Sequence, residues 1–192
     1  MSTASDNASL DLPEGLIIIE NFISEKREKM LIECIDAEEY SSELSRRTQQ
    51  YGYRYNYKSG NSIEKIRSLP EWNNCLIAKL QKLGVITTPP MQAIINEYLP
   101  GQGIAAHVDS LIFGEPIISI GLGGSCVMHF KNKKTNESYP LKFNRRIAIV
   151  LTGPARYDYT HEIKKVKYDN RIPRERRISI TYRDLRSLPP DV

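Results

Sequence analysis

After Gly84 the chain changes rhythm, and that change limits what it can fold into. Eight short strand-like runs follow one another, at 91–98, 105–109, 116–122, 125–130, 139–143, 147–151, 157–163 and 177–182. Pro100-Gly101-Gln102-Gly103, Gly123-Gly124, 131–137 and Gly153-Pro154 punctuate them as turns. So many strands in so little chain read as a two-sheet sandwich or jelly roll. The composition, 40% hydrophobic and 26% charged over 192 residues, is that of a globular chain able to bury a core without metal or disulfide clips.

The region before Gly84 supplies flanking helices, so the expected class is mainly β with flanking helices. Gly15–Glu20 reads as a first strand, and Ser24 caps a helix running to Glu38 with Met30, Leu31, Cys34 and Ile35 on one face. Ser68-Leu-Pro-Glu71 has the form of a capping box. It opens a second helix whose buried stripe is Trp72, Leu76, Leu80 and Leu83, with Gly84 as its stop. Between the helices, residues 45–58 alternate, and Tyr51, Tyr53, Tyr55 and Tyr57 share one face if that segment is a strand. No linker divides the chain. We expect a single domain over 12–186, a disordered polar tail at 1–11 and a short tail at 187–192.

Charge is unevenly placed. Residues 1–40 hold ten acids and three bases, so the net +4 of the whole chain leaves +11 on 41–192. Within 164–177, seven bases face only Asp169 and Glu175. A basic body favours a polyanionic partner, although a charge run alone equally fits a solvated loop. Cys34, Cys75 and Cys126 are odd in number and widely spaced, which excludes a disulfide framework and suits a reducing compartment. With no secretory signal and no long apolar run in view, the expectation is a cytoplasmic or, as the alternative, nuclear monomer without a membrane segment.

The three histidines can be weighed one by one. His107-Val-Asp109 puts an imidazole and a carboxylate at spacing two, on one side of a strand, and His161 follows on another predicted strand. Two His and one carboxylate form a facial metal triad with open positions for a co-substrate and oxygen. The same pattern also fits a hydrogen-bonded surface pair and a core histidine. His129 has no carboxylate at spacing two and reads as structural.

Arg177-Ile-Ser179-Ile-Thr181-Tyr-Arg183 alternates, placing Arg177, Ser179, Thr181 and Arg183 on one face. If that face looks inward, two arginines need buried anions. A dicarboxylate chelating the same metal, such as 2-oxoglutarate, supplies them, and Asn96 and Tyr98 stand at the right spacing to donate to it. The competing reading is an exposed edge strand with ordinary charges.

Taken together, Asn96-x-Tyr98, Pro100-Gly-x-Gly103, His107-x-Asp109, His161 and Arg177-x-Ser-x-Thr-x-Arg183 resemble the AlkB family of Fe(II)/2-oxoglutarate dioxygenases. The resemblance extends over about residues 14–186. It implies a double-stranded β-helix (jelly roll) and an enzyme that uses Fe(II), 2-oxoglutarate and O2 to oxidise a nucleobase. It implies that His107, Asp109 and His161 hold the iron. Arg177, helped by Tyr98, meets the distal carboxylate of 2-oxoglutarate, with Asn96, Ser179 and Arg183 completing its pocket. Further runs, among them Asn96–Ile104 and Arg145-Arg146, are similar to members that hydroxylate the wobble uridine of tRNA. The expected partner is therefore nucleic acid, RNA (tRNA) before DNA, with a separate tRNA methyltransferase as a possible companion. A lid at 45–60, carrying Arg46, Arg47, Tyr51, Tyr53, Arg54 and Tyr55, has the composition to stack a base and hold phosphates. The alternatives are an oxidative demethylase of N-alkylated bases in DNA or RNA, and a jelly-roll module that binds nucleic acid without turnover.

Overall fold

The computed structural model describes residues 12–56 and 62–186. The chain runs β1 (Leu16–Ile19), α1 (Glu25–Asp36), β2 (Thr48–Tyr51), β3 (Tyr53–Asn56), β4 (Ser62–Lys65), α2 (Asn74–Lys82), β5 (Gln92–Tyr98), β6 (Ile104–His107), β7 (Ile117–Gly123) and β8 (Cys126–Asn132). It continues through β9 (Ser138–Phe143), β10 (Ala148–Leu151), α3 (Gly153–Tyr157), β11 (Tyr159–Ile163), β12 (Tyr168–Asp169), β13 (Ile172–Pro173) and β14 (Arg177–Arg183).

A six-stranded sheet in the order β1-β10-β7-β14-β5-β2 faces a four-stranded sheet in the order β6-β11-β8-β9, and the pairings are antiparallel. This is the two-sheet architecture that the strand rhythm after Gly84 suggests and the double-stranded β-helix that the family resemblance implies.

The larger sheet is buried on both faces. On one, Ile95, Ile118, Ile120, Val150, Ile178, Ile180 and Tyr182 pack with Leu31 and Ile35 of α1 and Leu76 and Leu80 of α2. The other face meets the smaller sheet through Ile117, Met128, Phe130, Phe143, Ile149, Leu151 and Ile163. Pleating sends alternate residues of each strand into one layer or the other. In β14 the isoleucines therefore go to the helices, and the residues at 177, 179, 181 and 183 go between the sheets. One internal charge fastens α1 to its sheet: Glu28, 1% exposed, accepts from the Gly123 N–H at 2.9 Å and pairs with the exposed Arg145.

Ser24 caps α1, its side chain accepting from the Arg27 N–H at 3.2 Å. The second helix starts differently from expectation. No capping box forms at Ser68; a 3-10 turn at Glu71–Asn73 behind Pro70 leads into α2. Leu83 falls just past the last helical residue and is exposed rather than part of the stripe. The run 157–163 divides, because Gly153–Tyr157 makes a short helix and the strand begins at Tyr159.

The tyrosine ladder also divides. Gly52, at φ 79°, breaks the segment into β2, which joins the large sheet, and β3, which pairs with β4 as a separate hairpin. A side chain at Gly52 would run into the Met91 carbonyl, so the turn requires glycine. Tyr51 and Tyr53 consequently lie in different core layers and do not share a face. Tyr57 and the two tails at 1–11 and 187–192 lie outside the described residues. Among the described residues no helix is long and apolar enough to cross a membrane.

Candidate active site

β6 ends at His107, and Asp109 follows it in an extended link. β11 carries His161, which pairs in register with His107 across the smaller sheet. One ligand atom from each of His107, Asp109 and His161 comes within 4.8 Å of the others. The two imidazole centroids are 4.4 Å apart, and His161 Nε2 is 3.6 Å from Asp109 Oδ2. The Nδ1 of His107 lies 2.8 Å from the Ala105 carbonyl, which leaves Nε2 for a metal.

The charge states suit that role. Burial lowers the pKa of His161 to about 4, so its imidazole is neutral and its lone pair available at physiological pH. Burial alone would raise Asp109, but Arg183, His161, His107 and Arg156 together outweigh it and hold the carboxyl below its ordinary value. Arg183 stands 3.2 Å from Asp109 Oδ1.

β14 and β5 extend the site away from the triad. Arg177 pairs in register with Tyr98 and Ser179 with Asn96, so all four side chains project between the sheets. Arg177 is 2% exposed. None of its three guanidinium nitrogens has a hydrogen-bond partner among the described residues, nor does Arg183 Nε. The Arg177 guanidinium lies over two ring faces, Tyr98 at 5.5 Å and Phe143 at 4.5 Å. A buried cation with no acceptor on the protein has the chemistry of an anion-binding site. A dicarboxylate such as 2-oxoglutarate fits it, with one end at the triad and the other at Arg177. Ser119, whose hydroxyl is 3.1 Å from that of Thr181, lines the same cavity with Ile104, Ile117, Met128, Ile149, Leu151 and Ile163.

Residue His129 faces the other side of β8 from Met128 and Phe130 and is absent from the cavity lining, as a structural histidine should be.

The lid residues do not act as one surface. Arg46 lines the cavity, its Nε donating to Asn96 Oδ1 at 2.8 Å. Arg47 points through the opposite face of the sheet, where it forks onto the 1%-exposed Glu97 and lies over Tyr40 at 4.5 Å. A base-stacking role for Tyr51 is corrected too. It is 1% exposed, edge-on to Trp72, and its hydroxyl donates to Gln49 Oε1 at 3.0 Å. Tyr53 is buried in the layer between the sheets, and Arg54 is exposed on the β3–β4 hairpin opposite Glu64. The Tyr55 side chain lies outside the described residues.

The basic run 164–177 is likewise partly internal. Arg174 pairs with Asp169 and donates to the Lys164 carbonyl at 2.7 Å, and Arg176 bridges Asp36 and Glu97.

One residue beside the site, within the family-like run 152–157, had no role assigned from sequence. Arg156, 1% exposed, gathers the carbonyls of Asp109, Ser110 and Phe113 at 3.1, 2.8 and 2.9 Å and so clamps the loop that carries Asp109. Its partners are backbone oxygens, which no side-chain pattern reveals.

Comparison with known proteins supports the same chemistry. Residues 33–183 match the family model of the 2OG-Fe(II) oxygenase superfamily. The chain is 36% identical, over 82% of its length, to the tRNA (carboxymethyluridine(34)-5-O)-methyltransferase ALKBH8 of Macaca fascicularis, but spans only 25% of that protein. It is 28% identical to the DNA N6-methyl adenine demethylase of Caenorhabditis elegans, covering 95% of this chain and 63% of the relative. Among solved structures, OsALKBH1 superposes with a TM-score of 0.67 at 14% identity, covering 90% of this chain and 99% of that one.

Proposed function

The chain belongs to the AlkB branch of the 2OG-Fe(II) oxygenase superfamily, an enzyme family dependent on Fe(II), 2-oxoglutarate and O2, and from that premise we propose that it hydroxylates a modified base in tRNA, the side chain of the wobble uridine. The observation that carries the co-substrate half is the buried, unpartnered guanidinium of Arg177 at the far end of the cavity from His107, Asp109 and His161. The tRNA half is supported by the 36% identity to a protein named for position 34 of tRNA, of which this chain spans a quarter.

In this reading His107, Asp109 and His161 are the iron ligands. The loaded iron, with 2-oxoglutarate, supplies oxidation of a nearby C–H bond by O2, releasing succinate and carbon dioxide. The chain's own residues do the rest. Arg177 binds the distal carboxylate by a charge-assisted fork, with Tyr98 alongside. Asn96 and Ser179 orient the co-substrate from neighbouring strands. Arg183 holds Asp109 ionised and faces the keto-acid end. The target base must leave its stack to reach this depth, which favours single-stranded loops such as the anticodon loop.

The test is mass spectrometry of total tRNA nucleosides from cells with and without the protein, beside conversion of 2-oxoglutarate to succinate by the purified enzyme with iron and ascorbate. Loss of a hydroxylated wobble-uridine nucleoside in the deleted cells is the expected result. Unchanged tRNA nucleosides, with formaldehyde released from methylated DNA, would replace this reading by demethylation, which the Caenorhabditis relative's name favours.

A further inference from the structure

The sequence around Arg46 suggests a phosphate contact, but the geometry points to a different role. We propose that Arg46 is a positioning residue of the co-substrate pocket, latching Asn96 and closing over Tyr98. The inference rests on the reading that this cavity takes 2-oxoglutarate.

Three observations carry it. First, Arg46 Nε donates to Asn96 Oδ1 at 2.8 Å. An amide has one acceptor and one donor end. With Oδ1 committed to Arg46, the end left for the cavity is the Nδ2 donor, the orientation a carboxylate ligand needs. Second, the Arg46 guanidinium lies 5.7 Å from the Tyr98 ring, the same ring that Arg177 approaches at 5.5 Å. Arg46 and Arg177 thus approach one ring in a cavity that both line. Third, the backbone under Arg46 is pinned from both sides. Gln102 Nε2 donates to the Ser45 carbonyl at 2.8 Å, while Gln102 Oε1 accepts from the Leu99 N–H at 2.8 Å. On the other side the Glu97 N–H donates to the Arg47 carbonyl at 3.0 Å. The chain entering β2 is therefore strapped across the turn after Tyr98. The alternation that sends Arg47 outward to Glu97 sends Arg46 inward.

The latch predicts coupling, not a simple sum of charges. Anaerobic titration calorimetry of 2-oxoglutarate into the Mn(II)-loaded protein reads it without turnover. Arg46→Ala should raise the dissociation constant about tenfold, the worth of one charge-assisted bond. Arg46→Lys keeps the charge but lacks the Nε donor, and should fall in the same range. Asn96→Ala and the double variant should differ by under twofold, because Arg46 acts through Asn96. Arg47→Ala, on the outer face, should leave the constant unchanged. A rise under fivefold for Arg46→Ala overturns the proposal, as do full retention by Arg46→Lys, additive losses in the double variant or an equal loss for Arg47→Ala. Failure of the underlying reading looks different: the unsubstituted protein would bind no 2-oxoglutarate, or Arg177→Ala would leave binding intact.

Discussion

Replacing Arg177 with methionine should weaken 2-oxoglutarate binding at least a hundredfold and, without 2-oxoglutarate, make the protein more stable. The first half follows from pairing. Removing one partner of a buried ion pair costs about 3–5 kcal/mol, which is about two to four decades in affinity. The second half follows from the same guanidinium when no anion is present. It is 2% exposed, and its three nitrogens have no hydrogen-bond partner among the described residues. The rings of Tyr98 and Phe143 offset part of the desolvation, each contributing up to about 2 kcal/mol. An unpaired buried cation costs several kcal/mol, so the unliganded site remains a net destabiliser of about 1 kcal/mol. Methionine fills similar volume with no charge, and the expected rise in Tm is about 2–4 °C for a chain of this size. Calorimetric titration under anaerobic Mn(II) reads the affinity; thermal melts with and without 2-oxoglutarate read the stability. A loss of affinity under fivefold would mean that Arg177 does not meet the co-substrate. A fall in the unliganded Tm would mean that the fold already satisfies the cation.

Alanine at His107, Asp109 or His161 should abolish succinate formation while circular dichroism stays native, and His129→Ala should retain turnover; normal turnover in His161→Ala would refute the assigned ligand set. Tyr51→Ala should destabilise the fold by about 3–5 kcal/mol in urea melts, as expected for emptying an aromatic core site, and Tyr51→Phe should cost about 1 kcal/mol for the lost bond to Gln49; a drop in nucleic-acid affinity at unchanged stability would restore the stacking role. Asp169 gives a pH signature. Burial alone would raise its pKa, but Arg174 and the Val127 N–H outweigh that and hold it below the ordinary carboxylate value. Its stabilisation is therefore complete above about pH 4 and disappears as the pH falls through the depressed value; Asp169→Asn should flatten the acid side of the Tm–pH curve, and an unchanged curve would count against the pair.

Much of the site was legible because it is written in strand periodicity. Asn96 and Tyr98, and the four residues from Arg177 to Arg183, are spaced so that pleating alone aligns them, whereas Asp109 lies past the end of β6 and owes its place to the loop that Arg156 clamps. Periodicity says which residues share a face but not where a strand stops, and there the lid reading failed. One positive-φ glycine at position 52 ends the alternation and sends Tyr51 and Tyr53 to different layers. Arg46 and Arg47 show a related limit, since identical side chains in adjacent positions take opposite faces. Glu97, with Arg47 and Arg176, and Glu28, with Arg145, occupy positions that a hydrophobic pattern assigns to the surface. Their partners lie far away in sequence, so only the folded chain brings them together.

The arginines and lysines of this protein divide into architecture and display. Guanidinium forks at 47, 145, 174 and 176 are cancelled one by one by Glu97, Glu28, Asp169 and Asp36, and Arg156 is spent on backbone carbonyls. Ammonium groups at 131, 133, 134, 142, 164, 165 and 167 stand exposed instead. Formal charge therefore overstates the field that a polyanion feels, and among the described residues lysine carries much of what remains, beside the exposed Arg27, Arg54, Arg171 and Arg186. Lysine, unlike arginine, can be neutralised by acetylation. The lysine share of this enzyme's cationic surface is thus chemically erasable, while the arginines that hold the jelly roll together are out of reach of the same reaction.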